Sequence, residues 1–416
     1  MEFFPIQLLF VLVIINRYVL GRWLRRTKGS RFDLTTDDFL PTVAIVIPLF
    51  NEGAGIHATI LSLLQQDYPI HLLEIVVVDD CSRDDSHAWA CRAAEGRPNV
   101  TVLQNPSNLG KRRAITRAVR ATQSEIVISV DSDVVADARA VRELVRRFTS
   151  DDVAAVGGRT YISNANRHWL PRMIEVKFFF AQEWLKDLER TFSTVMCLSG
   201  CLTAYRRKVL LDLEPILENR AVCGVDIRYG EDRFLTRQIV KAGWRTLYTT
   251  EAFCFTAAPD TLAGYFSQQL RWRRSNLIDF FGSLSHVWRL PPIVGIHYLS
   301  QLVMLIAYPV VIFENVVNGS LWQVVWAHLF VIAALGVVYA WSTRHLPPER
   351  RVSPASFLPL VVLMPVTYAL FTPLALFTLD SSSWETRGAA PASEPALGLA
   401  SSTALEGGPD VSAGAH

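Results

Sequence analysis

Three long apolar runs in the last third of the sequence limit its possible folds more than any other feature: Ile293 to Val317, Leu321 to Trp341 and Phe357 to Leu379. Each reaches the ~20 apolar residues that a helix needs to cross the hydrocarbon core of a bilayer. Residues 293–379 are therefore expected to form a membrane region. Only Asn318-Gly319-Ser320 separates the first two runs, which reads as the turn of a helical hairpin. The third contains Pro359, Pro365 and Pro373 and reads as kinked or re-entrant. A fourth run, Phe3 to Leu20, predicts an N-terminal membrane helix over residues 1–22. Glu2 precedes it, no small-residue cleavage site follows, and Arg22, Arg25, Arg26, Lys28 and Arg31 come directly after. A cleaved signal peptide is the alternative reading. The positive-inside rule puts the cations, and the region after them, in the cytosol.

Residues 41–258 follow a different pattern. Val43 to Ile47, Glu74 to Val78 and Glu125 to Val130 are short runs rich in β-branched residues, the first ended by Pro48. Such runs fit strands buried on both faces of a parallel sheet. Helix-like stretches near 53–66, 84–95 and 110–122 alternate with them, so the fold class is α/β, built from βαβ units. Ligands of open α/β sheets bind at the C-terminal ends of the strands, where polar residues cluster here. A net charge of +2 supplies no global field for nucleic acid, and no nucleic-acid partner is expected. The six cysteines show no CxxC pairing and suit a reducing compartment, and Cys197 and Cys201 are spaced to share a helical face. Residues 259–292 mix aromatics with arginine and read as amphipathic helices in the membrane interface, ended by Pro291-Pro292. The tail, 391–416, has the composition of a disordered segment.

Several clusters carry chemistry. Asp79 and Asp80 follow the second strand, where carboxylates accept hydrogen bonds from a nucleoside; a strand-end Asp equally serves as a turn residue or N-cap. Asp131-Ser132-Asp133 follows a later strand. One of its carboxylates can hold ribose while the other reaches magnesium or manganese, which prefer oxygen ligands. Glu231 and Asp232, after Gly230, open an amphipathic stretch and read either as helix-capping charges or as a general base. Lys111 opens another helix-like segment and can meet a diphosphate or simply face solvent. In Gln268-Gln269-Leu270-Arg271-Trp272, the indole suits a sugar face and Arg271 a diphosphate; an interfacial anchor is the other reading.

Taken in order, these motifs resemble the processive family 2 glycosyltransferases, in particular hyaluronan synthases and chitin-oligosaccharide synthases. Cys197-Leu198-Ser199-Gly200-Cys201, Gly110-Lys111-Arg112 and Ser383-Trp384-Glu385-Thr386-Arg387 add to the likeness, which covers roughly residues 40–390. Cys81 stands where the family commonly has Gly, and Cys201 where the hyaluronan synthases have Pro. The resemblance implies a cytosolic GT-A domain joined to transmembrane and interfacial helices in the plasma (inner) membrane. It also implies an inverting mechanism, a UDP-sugar donor and Mg2+ or Mn2+. Asp79 and Asp80 would meet uridine, Lys111 the diphosphate, and Asp131 and Asp133 the ribose, diphosphate and metal, with Asp133 as the metal ligand. Asp232 would be the catalytic base. Glu231, Gln268, Arg271 and Trp272 would serve the acceptor and diphosphate, and Trp384, Thr386 and Arg387 in segment 380–390 would gate the nucleotide.

The expected activity is processive polymerisation from UDP-GlcNAc, alone or with UDP-glucuronate, onto a growing polysaccharide, with export of a hyaluronan- or chitin-like chain through a lipid-embedded region. The alternatives are a non-processive transferase acting on a lipid acceptor and an inactive binding or export subunit. Counting three C-terminal spans puts Trp384 and Arg387 outside the cell, whereas gating requires them at the cytosolic site. A bent or partly interfacial third run is expected to reconcile the two.

Overall fold

A computed structural model describes residues 12, 15–28, 35–37, 39–222, 224–227, 229–346 and 351–379. Its strands are β1 (Val43–Leu49), β2 (Leu73–Asp79), β3 (Val100–Gln104), β4 (Ile126–Ser129), β5 (Val135–Ala136), β6 (Val153–Ile162), β7 (Thr203–Arg206), β8 (Ala221–Val222), β9 (Val225–Asp226) and β10 (Arg245–Thr256). β8 and β9 form a small ribbon, and the others form one sheet in the order β3-β2-β1-β4-β7-β6-β10-β5. β1 to β4 pair in parallel. β7 runs antiparallel to both β4 and β6, and β10 returns parallel to β6, which makes the sheet mixed.

The apolar runs are strands because both faces of the sheet are covered. Ile45 and Ile47 pack with Ile56, Ile60 and Leu63 of helix Gly55–Leu64 on one side. Val46 packs with Ala114, Ala118 and Val119 of helix Lys111–Ala121 on the other. Each fully buried Val or Ile contributes about 1.5–3 kcal/mol, so exposing either face would be costly. The helices expected near 53–66, 84–95 and 110–122 appear as Gly55–Leu64, Ser86–Ala94 and Lys111–Ala121. Pro48 does not end β1 but lies within it. The carbonyl of Val46 points toward β4, so the nitrogen of Pro48 does too, and the β1–β4 ladder stops at Val46 and Ser129. The missing N–H therefore has no strand partner to lose.

Helix Leu262–Ser283 is continuous and leads to a short turn, Val287–Arg289. Pro291-Pro292 does not end that helix; Pro292 begins the next one, where a missing N–H costs nothing. Among the described residues, three segments are long and apolar enough to cross a membrane: Pro292–Val317, Leu321–Ser342 and Pro354–Phe377. The first two form the expected hairpin, turning at Gly319 with φ 65°. The third touches the sheet-bearing domain at both ends. Phe357 stacks on Phe180 at 5.6 Å, and the carbonyl of Leu379 accepts from the Tyr229 hydroxyl at 2.9 Å. Between these ends the segment packs along helix Leu262–Ser283, with Arg273 over the Tyr368 ring and Arg274 donating to Thr378 Oγ1 at 3.0 Å.

Most of the expected N-terminal membrane helix lies outside the described residues. Its end, Ile15–Leu20, is helical and continues into helix Gly21–Lys28, where Arg22 pairs with Asp187 at 2.7 Å. Segment 380–390, with Trp384, Thr386 and Arg387, and the tail 391–416 lie outside the described residues.

Candidate active site

The strand ends of β1, β2 and β4 build one side of the site. Asp79 and Asp80 are fully buried. Asp79 Oδ1 accepts from the Ser82 amide at 3.1 Å and its Oδ2 from Gln104 at 2.9 Å. Asp80 Oδ1 accepts from Asn105 Nδ2 at 2.7 Å and the Leu109 amide at 2.9 Å, and its Oδ2 from the Gly110 amide at 2.7 Å. Asp80, expected at the nucleoside, is thus engaged in holding the loop that presents Lys111. Cys81 has φ 62°, a left-handed conformation that explains why glycine suits this position.

Lys111 joins the two halves of the site. Its Nζ lies 2.7 Å from Asp131 Oδ1 and 2.8 Å from Glu231 Oε1. Burial opposes its charge, but the two carboxylates more than offset this and hold its pKa well above the ordinary lysine value. Asp131-Ser132-Asp133 forms a turn after β4. Asp133 Oδ2 accepts from Thr256 Oγ1 at the end of β10, 3.2 Å away. Burial first, and then the charge of Asp131, push the Asp133 carboxyl up to about 6.

Gly230 and the Cys197–Cys201 segment place the third motif. Cys197 and Cys201 do not share a helical face, because 197–201 is an irregular strap. The strap passes close enough that a Cβ on Gly200 would sit 3.3 Å from Lys111 Nζ, and the Gly200 amide donates to Asp232 Oδ2 at 3.3 Å. Cys201 Sγ donates to Asp131 Oδ2 at 3.6 Å. Glu231 and Asp232 occupy the first turn of helix Glu231–Lys241 but behave oppositely. Burial would raise Glu231, yet the Lys111 charge prevails and lowers it. Burial and the Glu231 charge raise Asp232 above the ordinary aspartate range, as a general base requires.

Gly230 has φ 67°, and a Cβ there would overlap Ser275 Oγ on helix Leu262–Ser283. Gly230→Ala is expected to cost about 1–2 kcal/mol in backbone strain and about 1–3 kcal/mol in overpacking. Thermal unfolding should show the loss, and an unchanged melting temperature would contradict this account of the contact.

Helix Leu262–Ser283 carries the last motif. Gln268 Oε1 and Arg271 Nε are buried with no hydrogen-bond partner among the described residues. Buried polar atoms are seldom left so, and the same helix also leaves Ser275 Oγ, Asn276 Oδ1 and Asp279 Oδ2 without a hydrogen bond among the described residues. Trp272 lies against Phe178 with ring centroids 6.0 Å apart. Lys177 donates to Gln269 Oε1 at 2.6 Å. Burial, assisted by the Arg273 charge, lowers the Lys177 pKa to about 7. Sequence reasoning missed Lys177 and the fully buried Asp279. The available signal was a charge flanked by apolar residues, in Val176-Lys177-Phe178 and Ile278-Asp279-Phe280.

No group of three or more His, Cys, Asp and Glu converges on a metal position among the described residues. Asp131 and Asp133 nonetheless fit a hard cation. They are two close carboxylates, one raised partly by the other's charge, and Mg2+ or Mn2+ commonly uses one or two carboxylates plus substrate phosphates.

The profile of the family "Glycosyltransferase like family 2" matches residues 41–275. An N-acetylglucosaminyltransferase of Rhizobium meliloti (strain 1021) is 33% identical over 365 residues, covering 85% of this chain and 83% of its own. One from Rhizobium leguminosarum bv. viciae is 32% identical over 376 residues, covering 88% and 86%. Among solved structures, a mannosyltransferase from Pyrobaculum calidifontis in complex with GDP-Man and Mn2+ superimposes with TM-score 0.57 at 19% identity, covering 89% of this chain and 95% of its own. That likeness gives the sheet-bearing domain its fold, GT-A. With the sheet, the joined motifs and the profile in agreement, the chain belongs to the family 2 glycosyltransferases, as an enzyme with three helices among its described residues able to cross a membrane.

Proposed function

We propose that this enzyme transfers N-acetylglucosamine from UDP-GlcNAc to the end of a growing chitin-like oligosaccharide, with inversion, at the cytosolic face of the plasma membrane. The observation that carries the reading is the Lys111 bridge, which joins Asp131 on the donor side to Glu231, the neighbour of Asp232, on the acceptor side. The N-acetylglucosaminyltransferases it resembles support the choice of sugar.

In this reading the acceptor hydroxyl oxygen forms a bond to the anomeric carbon as the bond to the UDP oxygen breaks. Asp232 takes the hydroxyl proton, and its raised pKa suits it to do so. Lys111 and Arg271 face the charge that develops on the departing diphosphate. Asp131 and Asp133 would hold Mg2+ or Mn2+, which when bound neutralises charge on the leaving group. Gln268, Arg271 and Trp272 hold the acceptor terminus beside the membrane helices, which favours repeated addition without release. The hydrogen bond from Tyr229, the residue before Gly230-Glu231-Asp232, to the carbonyl of Leu379 supports a gating role for Trp384, Thr386 and Arg387.

Purified protein incubated with single and paired UDP-sugars plus Mg2+ or Mn2+ tests the reading. UDP-GlcNAc alone should yield a ladder of N-acetylglucosamine oligomers. A requirement for UDP-glucuronate would replace the chitin-like product with a hyaluronan-like one. Single addition to lipid would remove processivity, and no UDP release with any donor would remove the reading altogether.

A further inference from the structure

Gln268, Trp272, Ser275, Asp279 and Gly282 recur at helical spacing, so one face of helix Leu262–Ser283 carries them all. Its first half bears the acceptor-side residues. Its second half lies against helix Glu231–Lys241. Asp279 is fully buried there, and its Oδ1 accepts from Arg237 Nε at 2.9 Å. Its Oδ2 lies 3.9 Å from Nε of Arg233, the residue next to Asp232. Close backbone approach surrounds this clasp. Ser275 fills the space a Gly230 side chain would need, and the Arg237 guanidinium fills that of a Gly282 side chain. Arg220 donates to the carbonyls of Tyr229 at 2.7 Å and Gly230 at 3.0 Å, fixing the turn that starts helix Glu231–Lys241.

We propose that Asp279 is a positioning residue, which sets the register of helix Leu262–Ser283 against helix Glu231–Lys241 through Arg237 and Arg233. It thereby fixes the separation between the acceptor-holding side chains and Asp232. An apolar pair at this contact would pack at several registers, whereas a carboxylate between two guanidiniums selects one. Specifying register is the best-attested structural use of a buried polar or ionic group. Asp279 touches no solvent-facing surface, so it acts only through its partners. The inference rests on Asp232 as base and on Gln268, Arg271 and Trp272 as the acceptor side.

The test uses the full-length protein in detergent with UDP-GlcNAc, a divalent metal and a short N-acetylglucosamine oligomer as acceptor. Asp279→Asn is expected to lower transfer about 10- to 100-fold, because misplacing the reacting groups by an ångström has effects of that size. Acceptor KM should rise while donor KM holds, and UDP release by donor hydrolysis should grow relative to transfer. The double variant Asp279→Asn/Arg237→Gln should lose no more than Asp279→Asn alone, since both changes break one interaction. Asp279→Glu keeps the charge and should raise acceptor KM alone, so it carries the test where the Asn variant does not fold. Donor and acceptor KM rising together, or a lower melting temperature with unchanged kinetics, would overturn the inference. An Asp232→Asn variant is run in parallel. Retained transfer there overturns the underlying reading, whereas loss there with unchanged acceptor KM in Asp279→Asn overturns this inference alone.

Discussion

Replacing Asp232 with Asn is expected to lower the transfer rate by about 10²–10⁴-fold, the range that a positioned general base contributes. The substitution keeps the shape of the side chain and its place in the first turn of helix Glu231–Lys241. Its oxygen can still accept from the Arg233 amide, 2.8 Å from Asp232 Oδ1, and gives up only the longer 3.3 Å contact of Oδ2 with the Gly200 amide, so folding and donor binding should change little. The proton acceptor is what disappears. A pH profile gives the same test from another direction. Burial and the Glu231 charge raise the Asp232 pKa, and only the carboxylate form can accept a proton. Wild-type kcat should therefore fall as pH drops, with its acidic limb above the pH at which an ordinary aspartate titrates. Single-turnover transfer across pH checks both expectations. Wild-type rates in Asp232→Asn would end the assignment of this carboxylate as base.

Lys111→Ala should produce the second large effect. Removing a preorganised positive group from a developing oxyanion typically costs about 10²–10³-fold in kcat. The loss should appear in kcat and in kcat/KM for the nucleotide sugar. Lys111→Arg is not expected to restore it. The lysine ammonium fits between Asp131 and Glu231 beside Gly200, where a Cβ would already stand 3.3 Å away, and a planar guanidinium needs more room. Stability should fall as well, since two carboxylates would lose their counter-charge. The cost should stay below the about 3–5 kcal/mol of a fully buried pair, because the Asp131 side chain keeps 25% of its exposure and is partly screened. Donor titrations and thermal unfolding would measure the two effects separately. Unchanged kcat with only a lowered melting temperature would make Lys111 a structural counter-ion and nothing more.

Much of the domain was legible because its signals are local. Val43 to Ile47 reads as a strand from five consecutive apolar residues, and the helices after β1, β2 and β3 fall within a few residues of their expected bounds. Even so, Pro48 misled, because whether a proline ends a strand depends on which neighbour its nitrogen faces. The Cys197–Cys201 spacing misled for a similar reason. Helical spacing means nothing where the backbone is drawn into a strap between Lys111 and Asp232. The prolines of the third apolar run mark it as bent or partly interfacial, but its contacts are not legible in them. Its hydropathy equals that of a membrane span, yet both its ends meet the sheet-bearing domain, through Phe180 and Tyr229.

Sequence alone determined the fold class, the order of the motifs and the residue types available for chemistry, because periodicity and strand-end polarity survive without any long-range contact. Which of those residues meet is set by long-range contacts. Lys111 and Glu231 are 120 positions apart, and Asp80 meets the Gly110 amide across 30. Whether a carboxylate is a base, a tether or a counter-ion depends on how much water its neighbours exclude and which charges they bring. Asp232, Asp80 and Asp279 differ in those surroundings and not in their chemistry.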